Sequence, residues 1–141
     1  MNNREIKFRA WDKEKKVMVK VLAVYDKDFN GEGAYVQLTT KSGLSCYTLK
    51  HSEIDLMQFT GLKDKNGVEI FEGDIVEYTN GFGDKVDVDG KEMIYEVEWN
   101  KEDAGFELGK LYLGSYFVGG GKIEVIGNIY ENENAKKQKT A

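Results

Sequence analysis

The sequence has no proline, one cysteine (Cys46) and one histidine (His51) among its 141 residues. A lone cysteine excludes an intrachain disulfide, and with a lone histidine it excludes a zinc site built from Cys and His ligands. No apolar run is long enough to cross a bilayer and residues 1–9 are polar, so neither a membrane span nor a signal peptide is predicted. These absences predict a protein of the reducing cytoplasm that carries no cofactor.

Positive charge is scarce in the second half of the chain. Residues 1–55 carry ten Lys or Arg against eight Asp or Glu, whereas residues 56–130 carry seven against fifteen. Because a nucleic-acid-binding protein generally needs a basic face for the phosphates, this acidic body disfavours nucleic acid as a partner. The mildly basic N-terminal segment keeps that alternative open.

Short alternating strands and turns make up most of the chain. With 16 glycines and 40% hydrophobic residues, the sequence is typical of a globular β fold with many turns. The pattern predicts eight or nine strands in a mainly β fold, which favours a small barrel or sandwich. We assign residues 1–55 to an N-terminal β-hairpin lobe, residues 56–130 to the small barrel and residues 131–141 to a disordered tail. The lobe and the barrel are expected to form one compact unit.

The predicted barrel is organised around residues 56–78, which contain two turn signals. Asn66-Gly67 is typical of a two-residue type I′ hairpin, which needs positive φ at both central positions. Gly73 and Asp74 predict a second sharp reversal, in which the carboxylate hydrogen-bonds nearby backbone. The stretch therefore reverses the chain twice so that the β-sheet folds back on itself, and it contains no catalytic or ligand-binding motif.

Three other segments carry predictions about local structure. Residues 51–55 fit either a short helix with Ser52 as its N-cap or the start of a strand, and the sequence leaves both open. The glycine run at residues 119–121 is interpreted as a linker. Alternation over residues 93–99 predicts that four side chains face the core: Met93, Tyr95, Val97 and Trp99.

No stretch carries a complete catalytic or metal-binding motif. Residues 26–31 match the first half of a calcium loop, but Gln37 stands where a bidentate glutamate is needed, so we interpret the loop as an Asx-rich turn. The sequence does not decide whether this loop binds a metal. Cys46 and His51 are interpreted as a core thiol and a surface imidazole. We predict no catalytic residue, no metal site and no enzymatic activity.

The candidate binding residues lie in the basic N-terminal hairpin, on the polar face of its first strand and in the following turn. They are Arg4, Lys7, Arg9, Trp11 and Lys13. The simplest interpretation of these cations is a solvated strand face. As a binding surface, they would contact the phosphates of a nucleic acid beside Trp11.

Four segments together carry a resemblance to a known family. They are residues 4–12 (REIKFRAWD), 58–67 (QFTGLKDKNG), 70–76 (IFEGDIV) and 126–132 (IGNIYEN). With these segments the chain resembles the YopX family of proteins, which phages and prophages encode. Their order matches the family and they reach across nearly the whole chain. The resemblance implies a mainly β fold, an SH3-like barrel in the second half and self-association. It implies no activity, cofactor or catalytic residue.

The functional prediction combines the residues with this resemblance. We expect a non-enzymatic protein-binding module in the host-cell cytoplasm that forms a homo-oligomer and binds a host or phage protein. The alternative is a nucleic-acid accessory protein that uses the basic N-terminal hairpin. No association with a membrane is predicted.

Overall fold

The structure, a computed structural model, describes residues 5–26, 31–109 and 111–131. These residues form eleven β-strands and two 3₁₀ segments. The strands make two antiparallel sheets, so the predicted mainly β class is confirmed. Residues 27–30 of the calcium-like loop and residues 132–141 of the predicted tail lie outside the described residues.

The chain divides into two compact units between Phe59 and Thr60. The elements of the first unit are β1 (Phe8–Asp12), β2 (Val17–Val24), β3 (Glu32–Thr40), β4 (Gly43–Lys50), the 3₁₀ turn η1 (His51–Glu53) and the beginning of β5 (Ile54–Lys63). Their order is β4-β3-β2-β1-β5, so the last strand of the unit pairs with the first. Valines and other β-branched residues favour these extended segments, most clearly in β2 (VMVKVLAV).

One face of this sheet is apolar because alternate residues of a strand point to the same side. Ala10 lies opposite Val19 in the register, and Val21 lies opposite Val36. The buried residues of this cluster are Ala10, Val19, Ala34, Val36, Leu49 and Ile54. The opposite face of β1 therefore carries the polar side chains that the alternation assigns to it.

Residues 51–55, for which the sequence left two alternatives, combine both. His51–Glu53 form one 3₁₀ turn, and β5 begins at Ile54. The backbone N–H of Lys50 donates to Oε1 of Glu53 at 2.9 Å and closes the turn. Ser52 therefore lies inside the turn and does not cap it.

From β7 onwards, the second unit has the same order of elements as the first. Its elements are β6 (Glu69–Phe71), which pairs with β5, then β7 (Asp74–Thr79), β8 (Ile94–Asn100), β9 (Gly105–Leu108), β10 (Leu111–Tyr112), the 3₁₀ segment η2 (Leu113–Gly120) and β11 (Lys122–Asn128). The sheet order is β10-β9-β8-β7-β11: a meander of four strands, a 3₁₀ segment, and a fifth strand beside the first. Because the sequence contains no matching repeat, the two units share topology alone.

The sheet of the second unit is open, so the SH3-like barrel predicted for residues 56–130 does not close. β10 and β11 lie at its two edges. β10 has only two residues because the chain turns into η2 after Tyr112, and so short a strand cannot complete a barrel. The buried core of this unit consists of Ile70, Val76, Val97, Leu108, Leu113, Tyr116 and Ile123.

Three of the four residues predicted to face the core over residues 93–99 do so. Met93 and Val97 are buried, and Tyr95 packs against the core while partly exposed. Trp99 is 43% exposed, so its assignment to the core is wrong. It lies near the end of β8, where its ring meets that of Phe106 edge to face with centroids 5.0 Å apart.

The first of the two turns predicted within residues 56–78 is stabilised by the carboxylate of Asp64. Its Oδ1 accepts from the backbone N–H groups of Asn66 at 2.8 Å and Val68 at 2.9 Å. Gly67 has a φ of 81°, whereas Asn66 has no positive φ, so the predicted type I′ turn is wrong. The Asp64 hydrogen bonds fix a different turn, in which only the glycine is left-handed. 

The second predicted reversal is confirmed. Gly73 has a φ of 85°, and Oδ2 of Asp74 accepts from the backbone N–H of Phe71 at 2.7 Å. The N–H of Gly73 donates to the carbonyl of Val97, and its carbonyl accepts from Ile129, both at 2.9 Å. This corner thus joins β7 to β8 and to the chain that follows β11.

Candidate functional site

The predicted binding residues lie along β1 and beside it, except Arg4, which precedes the described residues. Arg9 and Trp11 share one face of β1, where they lie opposite Lys20 and Met18 of β2. Two cations and one aromatic side chain, Arg9, Lys20 and Trp11, therefore lie on the same face of the β1–β2 hairpin.

Lys7 and Lys13 have acidic partners within the chain. Nζ of Lys7 lies 3.0 Å from a carboxylate oxygen of Glu5 and 5.0 Å from the centre of the Phe59 ring. Nζ of Lys13 lies 3.7 Å from Oδ1 of Asp55. These carboxylates compete with any phosphate for the two lysines, which weakens the basic hairpin as a nucleic-acid surface.

Cys46 is exposed on β4, so its prediction as a core thiol is wrong. It lies opposite Gln37 of β3, and a hydrogen bond between Tyr35 and the Cys46 thiol raises the pKa of the Tyr35 hydroxyl. His51 follows Cys46 by five residues, mostly along an extended strand, which is a separation of roughly 16 Å. At that distance the imidazole cannot take the proton of the thiol.

A second surface, on the second unit, was missed from the sequence. Phe82 is 95% exposed and Val118 is 76% exposed, and Phe117 is also exposed. We refer to these three side chains as the apolar surface. Its sequence signal is the run of residues 111–121, which contains no charged residue although 32% of the chain is charged. The run could equally have filled a core, so periodicity alone could not place it on the outside.

A close backbone contact joins the two segments of the apolar surface. A Cβ atom at Gly81 would overlap the carbonyl oxygen of Gly119, so only glycine permits this approach. The loop that contains Gly81 is fixed by Asn80, whose Oδ1 accepts from the backbone N–H groups of Phe82 and Asp84 at 2.9 Å each. Phe82 follows one of the contacting glycines and Val118 precedes the other in the sequence.

The glycine run that ends η2 is packed, so its interpretation as a linker is wrong. A Cβ atom at Gly121 would overlap the carbonyl oxygen of Tyr116 and lie 2.6 Å from the ring of Tyr78. The Tyr116 hydroxyl donates to the carbonyl of Leu108 at 2.7 Å, and its ring meets that of Tyr78 edge to face at 4.9 Å. Burial, together with Tyr95 and Tyr78, raises the pKa of Tyr116 to about 12.

The buried carboxylates accept hydrogen bonds that stabilise the fold. Asp12 accepts from the backbone of Glu14 and from the hydroxyl of Tyr47, while Asp64 and Asp74 accept from backbone N–H groups at turns. In the part of the chain that the structure describes, no three His, Cys, Asp or Glu side chains come together as a metal site requires. No helix within that part is both long and apolar enough to cross a membrane.

Comparison with known proteins identifies the family. The model of the YopX protein family matches residues 7–135, which include Lys7, Arg9, Trp11 and the whole apolar surface. The chain belongs to the YopX family. The resemblance seen in the sequence is thereby confirmed. The comparison with curated proteins gave no match.

Two solved structures are similar to this YopX-family chain. Protein EF1440 from Enterococcus faecalis is 28% identical, covers 94% of this chain and 98% of its own, and gives a TM-score of 0.62. Protein yopX from Bacillus subtilis is 21% identical, covers 92% of this chain and 96% of its own, and gives a TM-score of 0.56. The second likeness is one of fold, and both extend over the two units of the chain.

Proposed function

We propose that this YopX-family protein is a non-enzymatic protein-binding module that also self-associates. It acts in the cytoplasm of a host cell that carries the phage or prophage, and it binds a host or phage protein. The observation that supports this proposal is the exposure of Phe82, Phe117 and Val118 in two segments that the close approach of Gly81 and Gly119 brings together. Exposed aromatic and aliphatic side chains of this kind are the anchors that protein interfaces bury.

A protein suits the apolar surface better than a nucleic acid or a membrane. Residues 56–130, which contain it, carry fifteen Asp or Glu against seven Lys or Arg. That charge repels both the phosphates of nucleic acid and the anionic headgroups of the cytoplasmic leaflet. An apolar patch on a protein partner meets neither penalty.

Removing two side chains of the apolar surface is expected to abolish capture of the partner. Phe82→Ser combined with Val118→Ser should reduce recovery by at least about tenfold, since a buried interface anchor is worth 2 kcal/mol or more. The substitutions are exposed, so the fold should be retained. The measurement is a tagged pull-down from phage-carrying cells, treated with nuclease and quantified by mass spectrometry.

The matched control is Val88→Ser, which alters a fully exposed apolar side chain in a different turn. It should leave recovery unchanged. Equal loss in both variants, or no loss in the double variant, would show that the apolar surface does not bind the partner. Failure of the wild-type protein to capture any protein in stoichiometric amount would overturn the protein-binding function itself.

The alternative function is that of a nucleic-acid accessory protein. One observation favours it: Arg9 and Lys20 lie opposite one another, with Trp11 on the same face. Cations beside an aromatic ring are the arrangement that single-stranded nucleic acid uses for phosphate contact and stacking. The neutralised Lys7 and Lys13 and the acidic second half count against it.

Salt titration separates the two functions. Under the primary proposal, a fluorescent single-stranded oligonucleotide should show no binding at low or physiological ionic strength. The alternative requires an affinity that falls steeply with salt. The slope of the logarithm of affinity against the logarithm of salt concentration should decrease in magnitude by about 1 for each phosphate-contacting cation removed. Arg9→Ala with Lys20→Ala should then lower the slope, whereas Lys101→Ala, an exposed cation of the second unit, should not.

A further inference from the structure

β4 is an edge strand that lacks the features by which natural proteins keep edge strands from pairing. It pairs with β3 from Lys50 to Gly43 and ends the strand order on its other side. Residues 43–49 (GLSCYTL) contain no charged residue and no proline, and Leu44 is 60% exposed. A long, exposed and uncharged edge presents unpaired backbone donors and acceptors to any matching strand.

The other edges of the described sheets are short or covered. β6 has three residues and β10 has two. β11 has seven, but the Asp64 turn caps it: Val125 N–H donates to Oδ2 of Asp64 and Lys65 N–H donates to the carbonyl of Ile123, both at 2.9 Å. A register shift between Val125 and Gly127 further disrupts that edge. Among the described strands, β4 alone is both long and unprotected.

We propose that β4 pairs with β4 of a second copy of this chain, antiparallel, about a two-fold axis at Cys46. This pairing rests on the self-association in the proposed function and names its surface. Because side chains alternate between faces, the apolar face of the sheet continues across the contact only if residues of the same parity lie opposite one another. The register centred on Cys46 meets that condition. It places Leu44 opposite Thr48 and Ser45 opposite Tyr47 of the second copy.

A second copy is the occupant because this register is self-complementary. Residues 43–49 are uncharged and Cys46 is their midpoint, so each uncharged residue meets another uncharged residue. Lys50 falls outside these pairs, and no like charges come together although the chain has a net charge of −5. A two-fold contact of this kind uses one edge twice and closes as a dimer, which leaves no further edge of β4 exposed.

Disulfide trapping tests the register directly. Residues opposite one another in an antiparallel pair have Cα atoms about 4.5–5.5 Å apart, which lies within the range that a disulfide spans. Oxidation of the full-length protein with copper phenanthroline should therefore yield a covalent dimer through Cys46, reversed by dithiothreitol. In the control Cys46→Ser with Thr39→Cys, the thiol lies on β3, one strand in from the edge. The substituted positions of the two chains are then roughly 14 Å apart or more. That variant should not cross-link.

Sedimentation measures the same contact without oxidation. Wild type should sediment as a dimer, and Cys46→Lys should weaken dimerisation about tenfold because it places two cations on the axis. Thr39→Lys, an exposed position on the neighbouring strand, should leave the dimer intact. Circular dichroism checks that each variant is folded, and the cross-linking result stands if Cys46→Lys does not fold.

The outcomes separate the two proposals. A dimer that cross-links through Cys46 and dissociates with Cys46→Lys supports pairing through β4. An oligomer that neither cross-links nor responds to Cys46→Lys would overturn the β4 contact and leave self-association standing. A monomer at every concentration would overturn both, while partner capture by the apolar surface is judged by its own variants.

Discussion

Gly121→Ala is expected to destabilise the second unit by about 3 kcal/mol or more, because the atoms that the added methyl group would overlap cannot move without losing their own contacts. The added methyl group would overlap the carbonyl oxygen of Tyr116 and press on the ring of Tyr78. Neither neighbour can yield easily. Tyr116 is anchored in the core by its hydrogen bond to the carbonyl of Leu108, and the two rings pack against each other.

Gly114→Ala is the matched control for this prediction. Gly114 lies in η2, the 3₁₀ segment that Gly121 follows, but its added methyl group would meet no atom within 4 Å and its backbone is not left-handed. The control should therefore change the free energy of unfolding by less than about 1 kcal/mol. Urea unfolding is followed through Trp99, in a Trp11→Phe background, since each unit contains one tryptophan. Equal stability of both alanine variants would contradict the packing role of Gly121.

Asp64→Ala is expected to lower the stability of the second unit by about 3 kcal/mol, since it orphans several backbone donors at a buried site. The carboxylate accepts from Asn66 and Val68 within its own turn and from Val125 on β11, at 2.8 to 2.9 Å. It is 7% exposed, so water cannot replace these bonds fully. The loss would both open the turn and uncap β11.

The stabilisation by Asp64 should depend on pH. Burial acts to raise the pKa of this carboxyl, but the N–H groups of Val125, Val68 and Asn66 and the nearby Lys65 hold it below its usual value. A group with a lowered folded-state pKa contributes stability above the unfolded-state value of about 3.9, and this is lost as pH falls through the folded pKa. The stability difference between wild type and Asp64→Ala should therefore be constant at neutral pH and shrink below about pH 4.

The control for Asp64 is Asp87→Ala. Asp87 holds a turn of the same kind through Asp89 and Lys91, but in a loop and without a bond to another strand. Its loss should cost about 1 kcal/mol, as for other exposed caps. Urea titrations of both variants at several pH values provide the comparison. Equal costs, or a cost for Asp64→Ala that does not change with pH, would contradict the predicted role.

The sequence by itself determined the elements whose information is local. The β-branched residues of the valine-rich segment at 17–25 favour extended backbone, and β2 spans Val17–Val24. The reversal at Gly73 and Asp74 was correct for a similar reason, since a left-handed glycine and a neighbouring carboxylate specify a turn within four residues. The family was also evident from short segments in a fixed order.

Only the tertiary structure decided which side chains are covered. The sequence assigned Cys46 and Trp99 to the core, yet both are exposed because exposure depends on a strand's place in the sheet and a residue's place along the strand. Gly121 was mistaken for a linker because its neighbours, Tyr116 and Tyr78, meet it only after the chain folds back. The apolar surface and the bare edge of β4 have the same origin: periodicity identifies an apolar strand or run, but pairing between distant segments determines whether anything packs against it.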